Sequence, residues 1–588
     1  MNRPPTPPLT PEEKQEIQAL LDADQPLPAH YQLRLFPPAG PELIWPGKDA
    51  TPPPPPRPLI LRERWGHPGT AFLNTLIQGD NLDAMAALKD GILREEVERA
   101  GGIKLIYIDP PFDLGTHVSV ALQVGEDPLP HDAGVVDEVA YRDVWGDGDD
   151  SYLSMMLPRL RLMRELLADG GSIYVHCDAR VNASLRLLMD EVFGRENFQN
   201  QICWKRTDPH NNARRKFGTV SDTILYYVKG PGYTLNLDEV RGELSESAKR
   251  EYSLVQQPDG TIVPDGAGVM GRRLKLNDAT VPSIHPDRQF EWRGARPSKG
   301  RSWPESPEGM EEGLRTGRYF LRNPDVGAAR CKVSFLDENK GQTLQDIWLD
   351  CGTMKGGSMY ATQKPEALLE RIIKVSSNPG DLVADFFCGS GTTLVVAQRL
   401  GRSWVGADMG RLAIHAARKR LLGTRPSFRI YQGVDGEEPS AKLEAHVERV
   451  DGGVRVVLTG YEPLPGFWQD REDFSVEEGQ LFRTRKSRGK ERRAQLTRRW
   501  SDWIDLWAVD FEHDGAIFKG SWHSARSRNA RTLPLVSETH LPTRPGVYTV
   551  AVKTVDVFGH EILWRGTYAL AADNDDATRK RQLLLNGI

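Results

Sequence analysis

LVADFFCGSGTTLVVAQRLG, residues 382–401, decides the fold. The apolar Leu382, Val383 and Ala384 read as the end of a buried strand, and LVVAQRLG (394–401) reads as a helix. Between them, the run from Asp385 to Thr393 is a glycine-rich turn. A strand–turn–helix unit of this kind lets a cofactor approach the backbone closely at the carboxyl end of a parallel sheet. SWVGAD (403–408) supplies the next strand, with Asp408 at its tip, where an acid can bond a ribose hydroxyl. Gly391 and Asp408 are 17 residues apart, which suits one βαβ unit. Taken alone, a Gly-x-Gly turn fits a nucleotide site and a structural tight turn equally, and Asp408 could serve only as a strand-end cap.

A second segment narrows the chemistry. DPPF (109–112) follows the apolar LIYI (105–108). Pro110 and Pro111 stiffen an extended turn that presents the Asp109 carboxylate beside the Pro110 carbonyl, with Phe112 adjacent. Two acceptors beside an aromatic face suit an exocyclic amine on a planar ring. The plainer alternative is a proline-stiffened loop with a surface acid.

Outward from these two turns, the chain divides. Seventeen of its 42 prolines lie in the first 60 residues, so 1–58 reads as a Pro-rich arm. One short helix is expected there, starting at Thr10 with Pro11 and Glu13 as a capping box. Strand and helix patterns alternate over 59–230, including KLIYID (104–109), the helical SYLSMMLPRLRLMRELLADGG (151–171) stopped by a double glycine, and GSIYVHCD (171–178). Residues 231–350, rich in Gly, Pro, Trp and Arg, form an insert. The α/β pattern resumes over 351–430. A β-hairpin around VERVDGGVRVVL (447–458) and a basic run fill 431–500, an all-β module spans 501–575, and 576–588 is a tail.

DPPF followed by DFFCGSGTT resembles the S-adenosylmethionine-dependent amino-methyltransferases of DNA, with the catalytic motif before the cofactor motif, the order of the beta group. Within that group the chain is similar to methylation (Mod) subunits of type III restriction-modification systems and to phage-defence methylases. LIQGDNLDAM (76–85), the 151–171 helix, DEVFGRENF (190–198), ILYYVK (224–229) and ATQKPEALLERII (361–373) extend the resemblance over about 59–423. It implies a Rossmann-like α/β fold with a mostly parallel seven-stranded sheet and an inserted target-recognition domain. The C-terminal WAVDFEHDG (507–515) and PGVYTVAVKTVDVFGHE (545–561) resemble PKD-like, immunoglobulin-type sandwiches.

The resemblance also implies roles. Asp109, Pro110, Pro111 and Phe112 hold and stack the target base. Asp385 begins the cofactor turn, Phe387, Gly389, Gly391 and Thr392 line the methionine part of S-adenosylmethionine, Asp408 takes the ribose, Asp80 and Asn81 the adenosine side, and Thr362 and Lys364 the methionine end. Asp80 and Thr362 could equally be helix caps. Asp before Pro-Pro goes with adenine N6 in this superfamily, and cytosine N4 stays open. Asp113 stands where relatives more often have Asn, and Ser221-Asp222-Thr223 where they often place a His or aromatic. A cysteine nucleophile does not match the motif set, so Cys177 and Cys388 read as core.

For DNA contact the expected residues are Lys205, Arg206, Arg214 and Arg215 in WKRTDPHNNARRK (204–216), and Trp292, Arg293, Arg296 and Arg301 in WRGARPSKGRSW (292–303). A solvated surface with structural tryptophans is the alternative. Residues 483–499 carry nine Lys/Arg and one Glu, a phosphate tether or a solvated linker. Residues 113–150 carry ten acids and one Arg, which suits a flap or subunit contact rather than a DNA cradle. The net charge of −5 is a sum over such blocks, so it does not exclude nucleic acid.

The five cysteines show no CxxC pairing, no metal site is expected, no apolar run approaches the roughly 18 residues of a membrane span, and the first residues show no signal-peptide core. A cytoplasmic protein is therefore expected. Its partners would be double-stranded DNA, a second copy in a homodimer, and a helicase, translocase or nuclease of the same defence system. A recognition scaffold with little catalysis, or an RNA or protein amino-methyltransferase, are the rival readings.

Overall fold

The computed structural model describes residues 10–23, 31, 42–45, 48, 57–66, 74–112, 116–123, 135–143, 149–209, 217–321, 330–353, 363–424, 427–433, 442–450, 453–462, 499–527 and 530–570, with 116–123, 135–143, 149–151 and 330 described by backbone alone. Contacts divide the chain into two units. One is Asn236–Gln345; the other holds everything before and after it.

The larger unit is built on an eleven-stranded sheet. From one edge the strands are Ile347–Trp348, Phe198–Lys205, Ser221–Val228, Leu167–Cys177, Ile103–Ile108, Leu382–Asp385, Ser403–Asp408, Asn74–Gln78, Phe428–Gly433, Leu59–Trp65 and Phe518–Gly520. The six strands from Leu167–Cys177 to Phe428–Gly433 run parallel, and Ser221–Val228 and Leu59–Trp65 flank them antiparallel. The expectation of seven strands is corrected: the outer strands pair across long sequence separations that no local pattern records. The central strands are buried on both faces, as parallel strands must be; Leu105, Ile106, Ile108, Val383 and Val405 have no exposed surface. Helices Asn81–Lys89, Asp149–Leu166 and Asn182–Phe193 contribute to the main core.

Several local expectations hold. Thr10 caps the Pro11–Asp22 helix in a full capping box with Glu13. The hairpin Lys442–Val450/Gly453–Glu462 forms. The helix starting at Asp149 ends at Leu166, however, ahead of the Gly170-Gly171 pair, which instead lies within the next strand.

The C-terminal segment is all-β. Strands Trp522–Ala525, Ile504–Asp510, Gly546–Asp556 and Glu561–Leu570 make a four-stranded sheet, and Leu443, Val454, Val456 and Leu458 of the hairpin share a core with Trp507, Val509, Val550 and Val552. This module is not a separate bead. Its Phe518–Gly520 strand joins the large sheet beside Leu59–Trp65. Fully buried Arg418 pairs with Glu63 at 3.0 Å and with Glu561, while Lys553 reaches Glu63 at 2.6 Å and Glu561 at 2.7 Å. Two cations meet two anions, so no buried charge is left uncompensated.

The smaller unit, Asn236–Gln345, falls inside the 231–350 range read from composition. It holds a five-stranded antiparallel sheet and a core of Ala279, Trp292, Trp303, Met310 and Tyr319. No described helix is long and apolar enough to cross a membrane.

Candidate active site at the strand ends

Four neighbouring parallel strands end in acids. In sheet order, Asp109 follows Ile103–Ile108, Asp385 closes Leu382–Asp385, Asp408 closes Ser403–Asp408, and Asp80 lies just past Asn74–Gln78. Their shared carboxyl edge is where open α/β sheets bind ligands.

The glycine turn is braced from below. Asp385, 2% exposed, accepts from the Thr393 hydroxyl at 2.5 Å and the Phe387 amide at 3.1 Å. Burial is the main cause that pushes its carboxyl up to about 7, against those two hydrogen bonds and with help from the charges of Asp109 and Asp408. Asp385 therefore shapes the turn. Gly391 (φ +73°) starts the Thr392–Arg399 helix in a left-handed conformation, and a Cβ there would lie 2.9 Å from Ala417 Cβ. Thr392 is buried and accepts from Arg420 at 2.8 Å. Asp408 takes the Gly389 amide at 2.9 Å and the Gly410 amide at 2.8 Å; burial raises its pKa despite these bonds.

Asp80 does cap its helix, accepting from the Leu82 amide at 2.9 Å. Its carboxylate also takes Arg159 Nη2 at 2.9 Å, and Arg159 Nε donates to Asn81 Oδ1 at 2.6 Å. Asn81 in turn donates to the Phe386 carbonyl at 2.9 Å, so the two turns are tied together by Asn81, which Arg159 holds in place. Sequence reading missed Arg159. A lone arginine on the buried face of MMLPRLRLM was its only signal.

At DPPF, the Lys364 ammonium bonds Asp109 Oδ2 and lies 5.7 Å from the Phe112 ring centroid. This ion pair spans 255 residues of sequence and ties the 363–376 segment to the DPPF turn. The other oxygen, Asp109 Oδ1, is buried with no hydrogen-bond partner among the described residues. Phe112 stacks on His176 at 5.9 Å and 24°. His176 has no exposed surface; its Nδ1 lies 3.0 Å from the Tyr107 hydroxyl and its Nε2 3.2 Å from Asp222. For Asp222, burial alone would raise the pKa, but the His176 contact, Arg206 and Lys364 bring it below the usual carboxylate value. Tyr107 is pushed well up, first by burial and then by Asp109, so it stays a phenol. Both His176 and Asp222 went unassigned in the sequence, although each is a polar residue in an apolar strand run.

The thiols of Cys177 and Cys388 are buried and pushed up by burial, which removes them as nucleophiles. Among the described residues no cluster of three or more His, Cys, Asp or Glu could hold a metal ion.

The family model described as DNA methylase, of the N6/N4 type, matches residues 103–419. The chain belongs to that family. Within it, the chain is 33% identical over 329 residues to the type II methyltransferase M.EcaI of Enterobacter cloacae, covering 55% of this chain and 66% of that protein. It is 29% identical over 340 residues to the StyLTI Mod subunit of a type III restriction-modification enzyme of Salmonella typhimurium, covering 54% and 49%. The chain spans between about half and two thirds of the curated relatives it matches. Among solved structures, an M1.HpyAVI–SAM complex matches with a TM-score of 0.29 at 14% identity, covering 59% of this chain and 98% of that one. A DNA modification methylase of Thermus thermophilus with S-adenosyl-L-methionine matches at 0.29 and 15%, covering 62% and 100%.

The residues expected to contact DNA separate by environment. Trp292 is corrected: it is 4% exposed, its indole N–H donates to Glu311 at 2.8 Å, and it belongs to the insert's core. Arg293 makes a two-pronged contact with Glu311 at 2.9 and 2.8 Å, and Arg301 donates to Thr280. Arg296 is displayed, its side chain 70% exposed with Glu291 3.6 Å away. Lys205 pairs with Asp208 at 2.7 Å, and Arg206 lies 3.4 Å from Asp222. Thr362, Arg214 and Arg215 lie outside the described residues, as do most of the 483–499 run and the side chains of the acidic 113–150 segment.

Proposed function

We propose that the chain is a site-specific DNA methyltransferase that moves a methyl group from S-adenosylmethionine to adenine N6 in duplex DNA, as the modification component of a restriction or phage-defence system. One observation carries this reading: Asp109 Oδ1, a buried acceptor without a hydrogen-bond partner among the described residues, stands at the tip of a strand next to the glycine turn. Leaving such a group bare costs about 1–3 kcal/mol, and an amine hydrogen removes that cost.

The residues present fit the cofactor. Gly389 and Gly391 leave the turn at the sheet's carboxyl edge without side chains, and Met409, 66% exposed beside Asp408, offers an apolar surface for a nucleobase. Asp408 and Asp80 would hold the ribose and adenosine side, and Phe387, Gly389 and Gly391 the methionine part, with Lys364 and Thr362 near its carboxylate. The bound cofactor supplies an electrophilic methyl group. Asp109 Oδ1 and the Pro110 carbonyl each accept one amine hydrogen, which directs the nitrogen lone pair out of the plane of those bonds. Phe112 stacks on the base, which must leave the duplex to reach them. Asp109 Oδ1 can also accept the proton that the amine loses after transfer. Positioning carries the rate, with no covalent intermediate on the chain.

The insert, through Arg296 and its neighbours, would read the target. The C-terminal β module is read as a sandwich-type spacer or interaction domain, a helicase or nuclease as the functional partner, and a homodimer as the working state. Transfer of tritium from labelled S-adenosylmethionine to unmodified duplex DNA, lost in Asp109→Ala, tests the reading. Binding of duplex without transfer would favour a recognition scaffold, and label in RNA or protein alone would move the substrate class.

A further inference from the structure

Behind Phe112 lies a buried polar chain that the amine-holding residues do not explain. We propose that His176 is a positioning residue that sets the plane of Phe112 and couples it to the strand leading into Lys205 and Arg206. This rests on the reading of DPPF as the amine-holding motif.

The imidazole is the floor on which Phe112 lies, at 5.9 Å and 24°. Every side of that ring is constrained. Trp204 meets it edge-on at 5.4 Å and 82°, and the Tyr107 ring does so at 6.4 Å and 88°. Both nitrogens are used. Asp222, held ionised, can only accept, so Nε2 carries the hydrogen. The Tyr107 hydroxyl lies 3.0 Å from Nδ1 and holds the other side of the ring. This assignment from the hydrogen-bond network leaves one orientation of the ring and no free flip.

A histidine with no exposed surface in an otherwise apolar strand is expensive to desolvate unless each nitrogen is satisfied. What the histidine adds is direction: Tyr107 on the DPPF strand fixes one end, and Asp222, which also faces Arg206 at 3.4 Å, fixes the other. His176 and Asp222 sit on paired antiparallel strands, and Trp204 is the register partner of Asp222 on the next. The stacking ring and the start of the basic 204–216 segment therefore rest on the same paired strands. Catalytic groups must hold their geometry to about 0.5 Å and 10–20°, and a misplacement of about 1 Å can cost on the order of 100-fold in rate.

The test is steady-state methyl transfer to long unmodified duplex DNA by the full chain, with cofactor affinity from calorimetry and a thermal melt for each variant. His176→Phe keeps a flat ring and removes both nitrogen contacts; kcat should fall by about 100-fold, with KM for DNA and the cofactor Kd each within about threefold. His176→Gln, whose amide can donate to Asp222, should recover at least about a tenth of the wild-type rate. Tyr107→Phe deletes one hydroxyl and should lower kcat by about 5- to 10-fold even if His176→Phe does not fold. Wild-type kcat in these variants would overturn the inference. So would losses of rate matched by equal losses of cofactor affinity and melting temperature, with no recovery in His176→Gln. An inert wild-type chain would sink the methyltransferase reading itself, whereas an active wild type with unaffected variants sinks this inference alone.

Discussion

Replacing Asp385 by asparagine should flatten the pH dependence of thermal stability between about pH 6 and pH 8. The carboxyl is 2% exposed, and burial, reinforced by Asp109 and Asp408, raises it to about 7 against the Thr393 and Phe387 hydrogen bonds. In the unfolded chain its value is about 3.9. A folded state that holds the proton more tightly gains stability that is fully present below the unfolded value and is lost as pH rises through about 7. Over the whole range a shift of about three units corresponds to roughly 4 kcal/mol, and about 1.4 kcal/mol of it disappears between pH 6 and pH 8. Asparagine carries no proton to lose, can still accept from the Phe387 amide, and leaves Asp408 in place, so the difference between the two proteins isolates residue 385. Melting curves of both at pH 6 and pH 8 should show the wild type losing about 1 °C more than Asp385→Asn. Equal pH slopes would refute the reasoning, because the carboxyl would then be ionised in the fold across that range.

Asp505 offers the opposite sign. Burial opposes its ionisation, but His415 at 2.7 Å and Lys419 at 2.7 Å hold its carboxyl down to about 2, so its contribution is present above about pH 4 and lost as pH falls toward 2. Asp505→Asn should destabilise by roughly 2–3 kcal/mol at pH 7, read as a lower melting temperature and faster proteolysis of the C-terminal module. Gly391→Ala forces a side chain into a left-handed conformation 2.9 Å from Ala417 Cβ; about 1–3 kcal/mol of stability and most of the calorimetric cofactor affinity should be lost. Arg296→Ala should weaken DNA binding and reduce the salt slope by about one, whereas Arg293→Ala, removing a cation already matched by Glu311, should change that slope less.

The strand–turn–helix at 382–401 and the strand leading into DPPF were legible because their information is local: apolar runs, glycines where the backbone must turn left-handed, prolines where it must stay extended. The capping box at Thr10 and the 442–462 hairpin were legible for the same reason. The sheet's width was not. Leu59–Trp65 pairs with Phe428–Gly433 and with Phe518–Gly520, and no residue in any of them announces a partner hundreds of positions away. Trp292 shows a different limit. An arginine-rich neighbourhood reads as surface, yet the indole found Glu311 and a hydrophobic cluster, which only packing could reveal. The ion pair of Lys364 with Asp109, 255 residues earlier, was not legible in the sequence, because it forms only once the two strand-end turns meet. His176 was written in plain view within GSIYVHCD but carried no meaning until Phe112, Tyr107 and Asp222 stood around it.

The central claim is that Asp109 holds an adenine amine for methylation. Single-molecule sequencing of DNA from cells expressing this chain alone tests it most directly, because base, motif and strand are read together. The account predicts N6-methyladenine confined to one recognition motif and absent when Asp109→Ala is expressed at the same level. Unmodified DNA, methylation on cytosine N4, or a signal that survives Asp109→Ala would contradict it.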